Sequence, residues 1–346
     1  MNRKHMLGLT AAVPFIGLPQ SAPAQNLDAL YEAAKREGVL SLYSGGVAAN
    51  SASAVAAFNK RYPGVTITVN GNYSNVTDIK IDKQLAEKKV DCDIASLQTV
   101  QDFVRWNRAG EIAPFKFNGW AGIDAEYKDP GGAFVATNIN PLTYAYNSKL
   151  VKEADVPRSA LDFLKPQFRG QAITCYPHDD DATLYLYYTL EQKYGTDFIN
   201  KYMAMQPEFV EGHLGVCRAI ASGKKLVTFD CSTHTALDMK DAGQPIDVRF
   251  SPVDETPVFY NTMGIMRAAP HPNAARLFVA WYLSPEQQIA TGNWSARPDV
   301  PPPKGQQPLS AYRLATRYKE FLVSTSLVQT QRARYLAYTG PVVNRS

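Results

Sequence analysis

The feature that most constrains this chain is a repeated switch of hydrophobic period across residues 39–97. Residues 39–43 form a short apolar run, residues 65–69 (Val-Thr-Ile-Thr-Val) alternate with a period of two, and residues 93–97 give a third strand. Helices are expected between them at 49–60 and 75–89, and Pro63-Gly64 supplies the turn into the second strand. Strand–helix–strand–helix–strand at this spacing requires a parallel sheet with right-handed crossovers. An amphipathic helix precedes it. Leu27, Leu30, Tyr31 and Ala34 fall at i, i+3, i+4 and i+7, and Gly38 stands where a helix closes through a left-handed residue.

Residues 111–147 are punctuated by Pro114, Gly119, Gly122, Pro130, Gly131, Gly132 and Pro141, which predicts loops and a change of lobe, with a strand at 143–147 leaving the first lobe. A second α/β unit follows. Strands are expected at 171–175, 225–230 and 246–250, and helices at 182–194, 196–205, 215–222 and 233–242. Residues 258–266 come next, then helices at 273–283 and 285–291. Pro298 and Pro301-Pro302-Pro303 make a stiff connection to a last helix at 309–336. The expected fold class is α/β, with two lobes, each a doubly wound, mostly parallel sheet, and a ligand cleft between them. Lobe one takes 25–142 and 252–303, lobe two 143–251, and residues 304–346 form a C-terminal helical segment. Ligands of open α/β sheets sit at the carboxyl ends of strands. Function is therefore expected in the loops 44–46, 72–75, 97–99, 176–181, 212–214 and 231–234.

Residues 1–24 read as a secretory signal rather than fold. Arg3, Lys4 and His5 precede a mostly apolar run over 6–18, and Ser21-Ala22-Pro23-Ala24 offers small residues for cleavage. The run is too short to span a bilayer, and Pro14 and Pro19 interrupt it. Cleavage after Ala24 and a periplasmic location are expected. Removing the signal takes away two basic residues and no acid, so the formal charge falls from +4 to +2. No basic tract of the kind nucleic acid requires is present. Cys92, Cys175, Cys217 and Cys231 would all meet an oxidising compartment. Four cysteines allow three full pairings, among which the sequence does not choose.

Several stretches, in order, resemble the periplasmic iron-type solute-binding proteins of ABC transporters. Gly38-Val-Leu-Ser-Leu-Tyr-Ser44 is similar to their opening strand, and Ala57-Phe-Asn-Lys-Arg-Tyr-Pro63-Gly-Val-Thr-Ile67 to the following helix and turn. Tyr146-Asn147-Ser-Lys149, Val156-Pro157, Asp162-Phe-Leu-Lys-Pro166 and Arg169-Gly170 match the central segment. Ala219-Ile-Ala-Ser-Gly223, Ala242-Gly-Gln-Pro245, His271-Pro-Asn-Ala-Ala-Arg-Leu-Phe278 and Leu283-Ser-Pro-Glu-Gln287 complete it, across about residues 27–303. The resemblance implies a type II periplasmic-binding fold with a two-crossing hinge, delivery of a small-molecule solute to a membrane permease, and no catalysis. It implies no cofactor, and a monomer is expected. The ferric-binding members carry adjacent tyrosines where this chain has Ser232-Thr233-His234, and a histidine where it has Ser44-Gly45-Gly46. A tyrosinate iron site is therefore not expected. Tyr187-Tyr188 lies mid-helix and reads as packing.

Candidate ligand contacts follow from the strand-end loops. Ser44, Gly45 and Gly46 join a strand to a helix, where glycine lets backbone approach a ligand and a helix start favours an anionic group. Tyr73, Ser74 and Asn75 follow the second strand. His178, Asp179, Asp180 and Asp181 precede a helix; one aspartate suffices to cap it, and the others suggest a ligand with donors or positive charge. His213, Ser232, Thr233 and His234 complete the set. The spacings Cys175-x-x-His178, His213-x-x-x-Cys217 and Cys231-x-x-His234 also admit an alternative, a metal-binding protein or metalloenzyme using zinc or copper through this cluster and the nearby aspartates. The nucleophile elbow, zinc-protease, P-loop and dinucleotide motifs are all missing, so an enzyme is not expected.

Overall fold

The computed structural model describes residues 27–46 and 48–343; the expected signal segment lies outside them. Helix α1 (Leu27–Glu37) leads into β1 (Val39–Gly45), α2 (Ala52–Arg61), β2 (Thr66–Asn72), α3 (Ser74–Ala86), β3 (Ile94–Leu97) and α4 (Val100–Arg108). β1 pairs in parallel with both β2 and β3, as the alternating periods predict. A two-residue strand β4 (Ile112–Ala113) follows, then β5 (Phe134–Asn147).

β5 is the largest departure from expectation, since only its last residues read as a strand in the sequence. Its first half pairs antiparallel with β10 (introduced below) as far as Pro141. From Leu142 it pairs instead with strands of the second lobe. Proline lacks the N–H a ladder needs and sits best at edges and irregularities. Pro141 stands where β5 exchanges one set of neighbours for the other.

The second lobe holds β6 (Ile173–Cys175), α5 (Asp181–Ala204), β7 (Glu208–Val210), α6 (His213–Ala221), β8 (Val227–Ser232), α7 (Thr233–Asp241) and β9 (Ile246–Arg249). α5 is two helical stretches about Gly195, whose φ of 76° breaks the helix where the sequence places its boundary. β10 (Thr256–Met266) returns to the first lobe, followed by α8 (Pro272–Tyr282) and α9 (Pro285–Ala290). The main sheet runs β2-β1-β3-β10-β5-β8, with β6 and β7 as a separate parallel pair. The sheets are thus mixed rather than mostly parallel. The physical reason is that β5 and β10 are the connecting strands, and each lies antiparallel to its neighbours in the main sheet.

The tail is not one helix from 309 to 336. It forms β11 (Leu314–Ala315), α10 (Tyr318–Val323) and α11 (Thr325–Thr339), with β11 paired to β10. α10 packs against α4 of lobe one and α5 of lobe two, and α11 packs on α5. Tyr187 is fully buried there against Tyr202, Phe229 and Tyr335, and Tyr188 stacks on Phe321. Both tyrosines are packing residues. A separate small core in lobe two gathers Ile173, Cys175, Val216, Cys217, Ile220, Cys231 and Ile246. No helix among the described residues is long and apolar enough to cross a membrane.

Candidate functional site

A cavity of about 410 Å³ opens at the carboxyl ends of β1 and β3. Its lobe-one wall carries Ser44, Ser96, and Ser51 and Ser53 at the start of α2, with Phe278 and Tyr282 of α8 and Asn293 beyond α9; His234 of α7 comes from lobe two. This is where parallel α/β sheets present ligand sites. The volume falls at the small end of the ~300–1,000 Å³ found for ligand pockets.

Close backbone approach builds this corner. A Cβ at Gly45 would lie 2.3 Å from Ser74 Oγ, and one at Gly71 would lie 2.4 Å from the Ala48 nitrogen. Glycine at both positions lets the turn after β1 press onto β2 and α3. Gly46 is not a free donor, because its N–H donates to the Asn72 carbonyl at 2.7 Å. The group that this loop offers is the Ser44 side chain.

Ser44 is 6% exposed, and its Oγ has no hydrogen-bond partner. Asn293 Oδ1 is likewise buried without a partner, and Asn293 lines the same cavity. An unpaired buried polar group costs about 1–3 kcal/mol, and native structures hold few of them. Two such groups stand at this one cavity, where an entering hydroxyl or N–H could pair with them. Among the described residues, no aspartate, glutamate, lysine or arginine lines the cavity, and His234 is its one side chain able to carry positive charge. His234 Nε2 lies 3.3 Å from Asp238 Oδ2 on the next turn of α7.

The other sequence-predicted residues are placed elsewhere. Asp180 caps α5, its Oδ1 accepting from the N–H of Ala182 and Thr183 at 2.9 Å each. Asp181 accepts from Gln101 Nε2 at 3.0 Å and pairs with the Arg332 guanidinium of the tail. Asp179 Oδ1 accepts from Asn75 Nδ2 across the lobes at 3.5 Å. His178 Nδ1 lies 3.1 Å from Thr339 Oγ1, and burial lowers its pKa. Ser74 Oγ accepts from the Gln98 N–H at 3.0 Å. The Tyr73 hydroxyl lies close to Gly212. Ser232 stands at the start of α7 and accepts from Thr235, while Thr233 donates to the Pro141 carbonyl. None of these lines the cavity; of the predicted set, Ser44 and His234 do.

His213 is held inside lobe two. Its Nε2 is 3.0 Å from Asp230 Oδ1, its Nδ1 is 3.7 Å from Asp180 Oδ2, and its ring stacks on Phe259 of β10. Burial opposes the imidazolium, but Cys175, Asp180 and Asp230 together raise its pKa well above the ordinary range. The two carboxylates account for that at neutral pH, since burial pushes the Cys175 thiol up to about 12 and so leaves it uncharged. Asp230 is lowered despite burial, held by His213 and by donation from Cys175 N–H and Thr174 Oγ1. Cys175, His213 and Asp230 offer donor atoms within 4.8 Å of one another. Both carboxylate oxygens of Asp230 are already satisfied, and the thiol is protonated, so the trio is built as an ion pair with its hydrogen bonds complete.

The sequence reading missed Ser51, Ser53, Ser96 and Asn293. Ser96 falls one residue before the 97–99 loop. Ser51 and Ser53 lie within an expected helix, and Asn293 lies in a turn with no motif.

The family described as bacterial extracellular solute-binding protein matches residues 98–307. The fold resembles iron-bound HitA from Pseudomonas aeruginosa at 17% identity, with a TM-score of 0.71 over 86% of this chain and 99% of that one. AfuA from Actinobacillus pleuropneumoniae, with fructose-6-phosphate bound, gives 18% identity and a TM-score of 0.72 over 87% and 98%. The substrate-binding protein of an ABC transporter from Agrobacterium tumefaciens gives 14% identity and 0.76 over 87% and 94%. Among curated protein sequences, none matches the chain.

Proposed function

The chain belongs to the bacterial extracellular solute-binding proteins, and on that premise we propose that it captures a small hydroxylated solute between its lobes and delivers it to an ABC-transporter permease without altering it. The observation that carries the solute class is the buried, unpaired Ser44 hydroxyl at a cavity walled by further serines. A solute hydroxyl or phosphoryl oxygen would satisfy it. The start of α2, with Ser51 and Ser53, suits at most one anionic group. The missing acidic and basic side chains in the lining argue against a polyanion or a polyamine. AfuA was solved with a sugar phosphate and HitA with iron. The serine-walled cavity suits the first kind of ligand better, because it has no tyrosine pair for a ferric ion.

On this reading residues 25–142 and 252–303 form one jaw and residues 143–251 the other, with His234 closing over a ligand seated on lobe one. A ligand touching both jaws adds contacts only when they close. The protein acts as a monomer in the periplasm after loss of its signal segment. A second reading, a metal site at Cys175, His213 and Asp230, rests on their mutual distance alone.

The test is thermal stabilisation by neutral sugars, sugar phosphates, monocarboxylates, ferric ion and zinc. Bound ligand stabilises by RT ln(1 + [L]/Kd), so micromolar binders register. Stabilisation by a sugar or sugar phosphate, lost in Ser44→Val, is the expected result. Stabilisation by ferric ion or zinc alone would overturn the proposal.

A further inference from the structure

We propose that Cys217 and Cys231 are joined by a disulfide bond in the exported protein. Cys217 lies on α6 and Cys231 on β8, and their Sγ atoms are 2.9 Å apart. Both side chains are fully buried in the small core of lobe two. Bonded sulfurs lie at about 2.05 Å, so closing the bond needs a shift of less than about 1 Å. That is within what one side-chain torsion and a slight settling of α6 on β8 supply.

The other cysteines are directed elsewhere. Cys92 belongs to the large core. Cys175 shares the small core, but its thiol sits beside His213 and Asp230, the three offering donor atoms within 4.8 Å of one another. The geometry favours none of the three full pairings but the single 217–231 link, with Cys92 and Cys175 left as thiols.

The inference uses the extracellular reading in one respect, the redox compartment. Disulfides form and persist in oxidising compartments. The oxidant is a protein thiol–disulfide oxidoreductase in its disulfide form. One cysteine thiolate attacks that disulfide, giving a mixed disulfide and releasing one oxidant thiolate. The second cysteine thiolate then attacks the protein-side sulfur of the mixed disulfide, forming the 217–231 bond and releasing the other oxidant thiolate. Two thiols lose two protons and two electrons, and the oxidant disulfide becomes a dithiol. Burial raises the Cys231 thiol well above its ordinary pKa. Exchange therefore takes place as lobe two folds, before α6 closes onto β8.

The bond would tie together the two elements that place His213 and His234. His213 is the first residue of α6, and His234 is the second residue of α7, two positions past the end of β8. Locking α6 to β8 holds the lobe-two face steady where it meets the cavity.

The experiment uses the full chain, expressed with its own leader, alkylated at harvest and denatured without reductant. The expected result is two alkylated cysteines, Cys92 and Cys175, rising to four after reduction. The unreduced mass is two hydrogens lighter, and one linked peptide pair carries Cys217 and Cys231. The melting temperature falls on treatment with a phosphine, in the wild type and equally in the Cys92→Ser/Cys175→Ser variant. Four alkylated cysteines in unreduced exported protein, or a link that includes Cys175 or Cys92, would overturn the proposal. Fractionation separates a failure of export from a failure of the pairing. If the protein stays in the cytoplasm, the purified reduced chain is refolded with oxidised glutathione. The same 217–231 link then supports the pairing, and its absence overturns it.

Discussion

His213 and Asp230 form a buried ion pair inside lobe two, Nε2 to Oδ1 at 3.0 Å, with the carboxylate wholly removed from solvent. Thr174, Thr183 and the Cys175 N–H donate to the same carboxylate, so its desolvation is offset by hydrogen bonds rather than by water. The pair fixes the start of α6 against β8 and presents the imidazole face to Phe259 of the connecting strand.

Breaking the pair from one side leaves an uncompensated buried charge. Asp230→Asn is expected to destabilise the protein by about 3–5 kcal/mol. Urea unfolding checks this through a lower midpoint at unchanged slope. A loss below about 1 kcal/mol would mean that the pair is not charged.

The two partners set opposite pH limits. His213 has a raised folded pKa, so its contribution is complete below the unfolded value of about 6.5 and is lost as pH rises through the folded value. Asp230 has a lowered folded pKa, so its contribution is present above about 3.9 and is lost as pH falls through the folded value. The stability advantage of the wild type over His213→Gln should therefore be greatest between about pH 4 and 6.5. It should shrink in alkali. Unfolding free energies measured across that range decide it, and an advantage that grows with pH contradicts the assignment.

Asp180 is a helix cap and should behave as one. Asp180→Ala should cost at least about 0.5–2 kcal/mol of stability, the range for losing an N-cap, since it also removes a carboxylate 3.7 Å from His213. Affinity for a solute bound at the serine-walled cavity should not change. A calorimetric titration of the variant that shows weaker binding would instead place Asp180 in the site.

Ser44 makes the reverse prediction. Because its hydroxyl has no partner within the protein, Ser44→Ala removes a group that costs free energy, and the variant without added solute should be as stable or slightly more so. Binding should weaken by about 0.5–1.5 kcal/mol, the net worth of one hydrogen bond. Thermal melts with and without solute separate the two effects. A destabilised free protein with unchanged binding would assign Ser44 a structural role.

What the sequence by itself determined is the part written in local periodicity. The strands of lobe one, the helix boundary at Gly195, the two α/β units and the family all follow from residue order, because helix and strand periods and turn residues act over a few positions. The length of β5 was hidden, since Pro141 reads as a break and is tolerated only because the strand changes partners there. The acidic cluster shows the same limit. Asp181 finds Gln101 at 80 residues' separation and Arg332 at 151, so a run that looked like ligand contacts is held by a distant helix and the tail. Ser44 was legible from its strand-end loop, whereas Asn293 carries no motif, and only packing leaves both without a partner at one cavity. Pairing and burial of polar side chains are long-range properties of the closed fold, and the tertiary structure alone decides them.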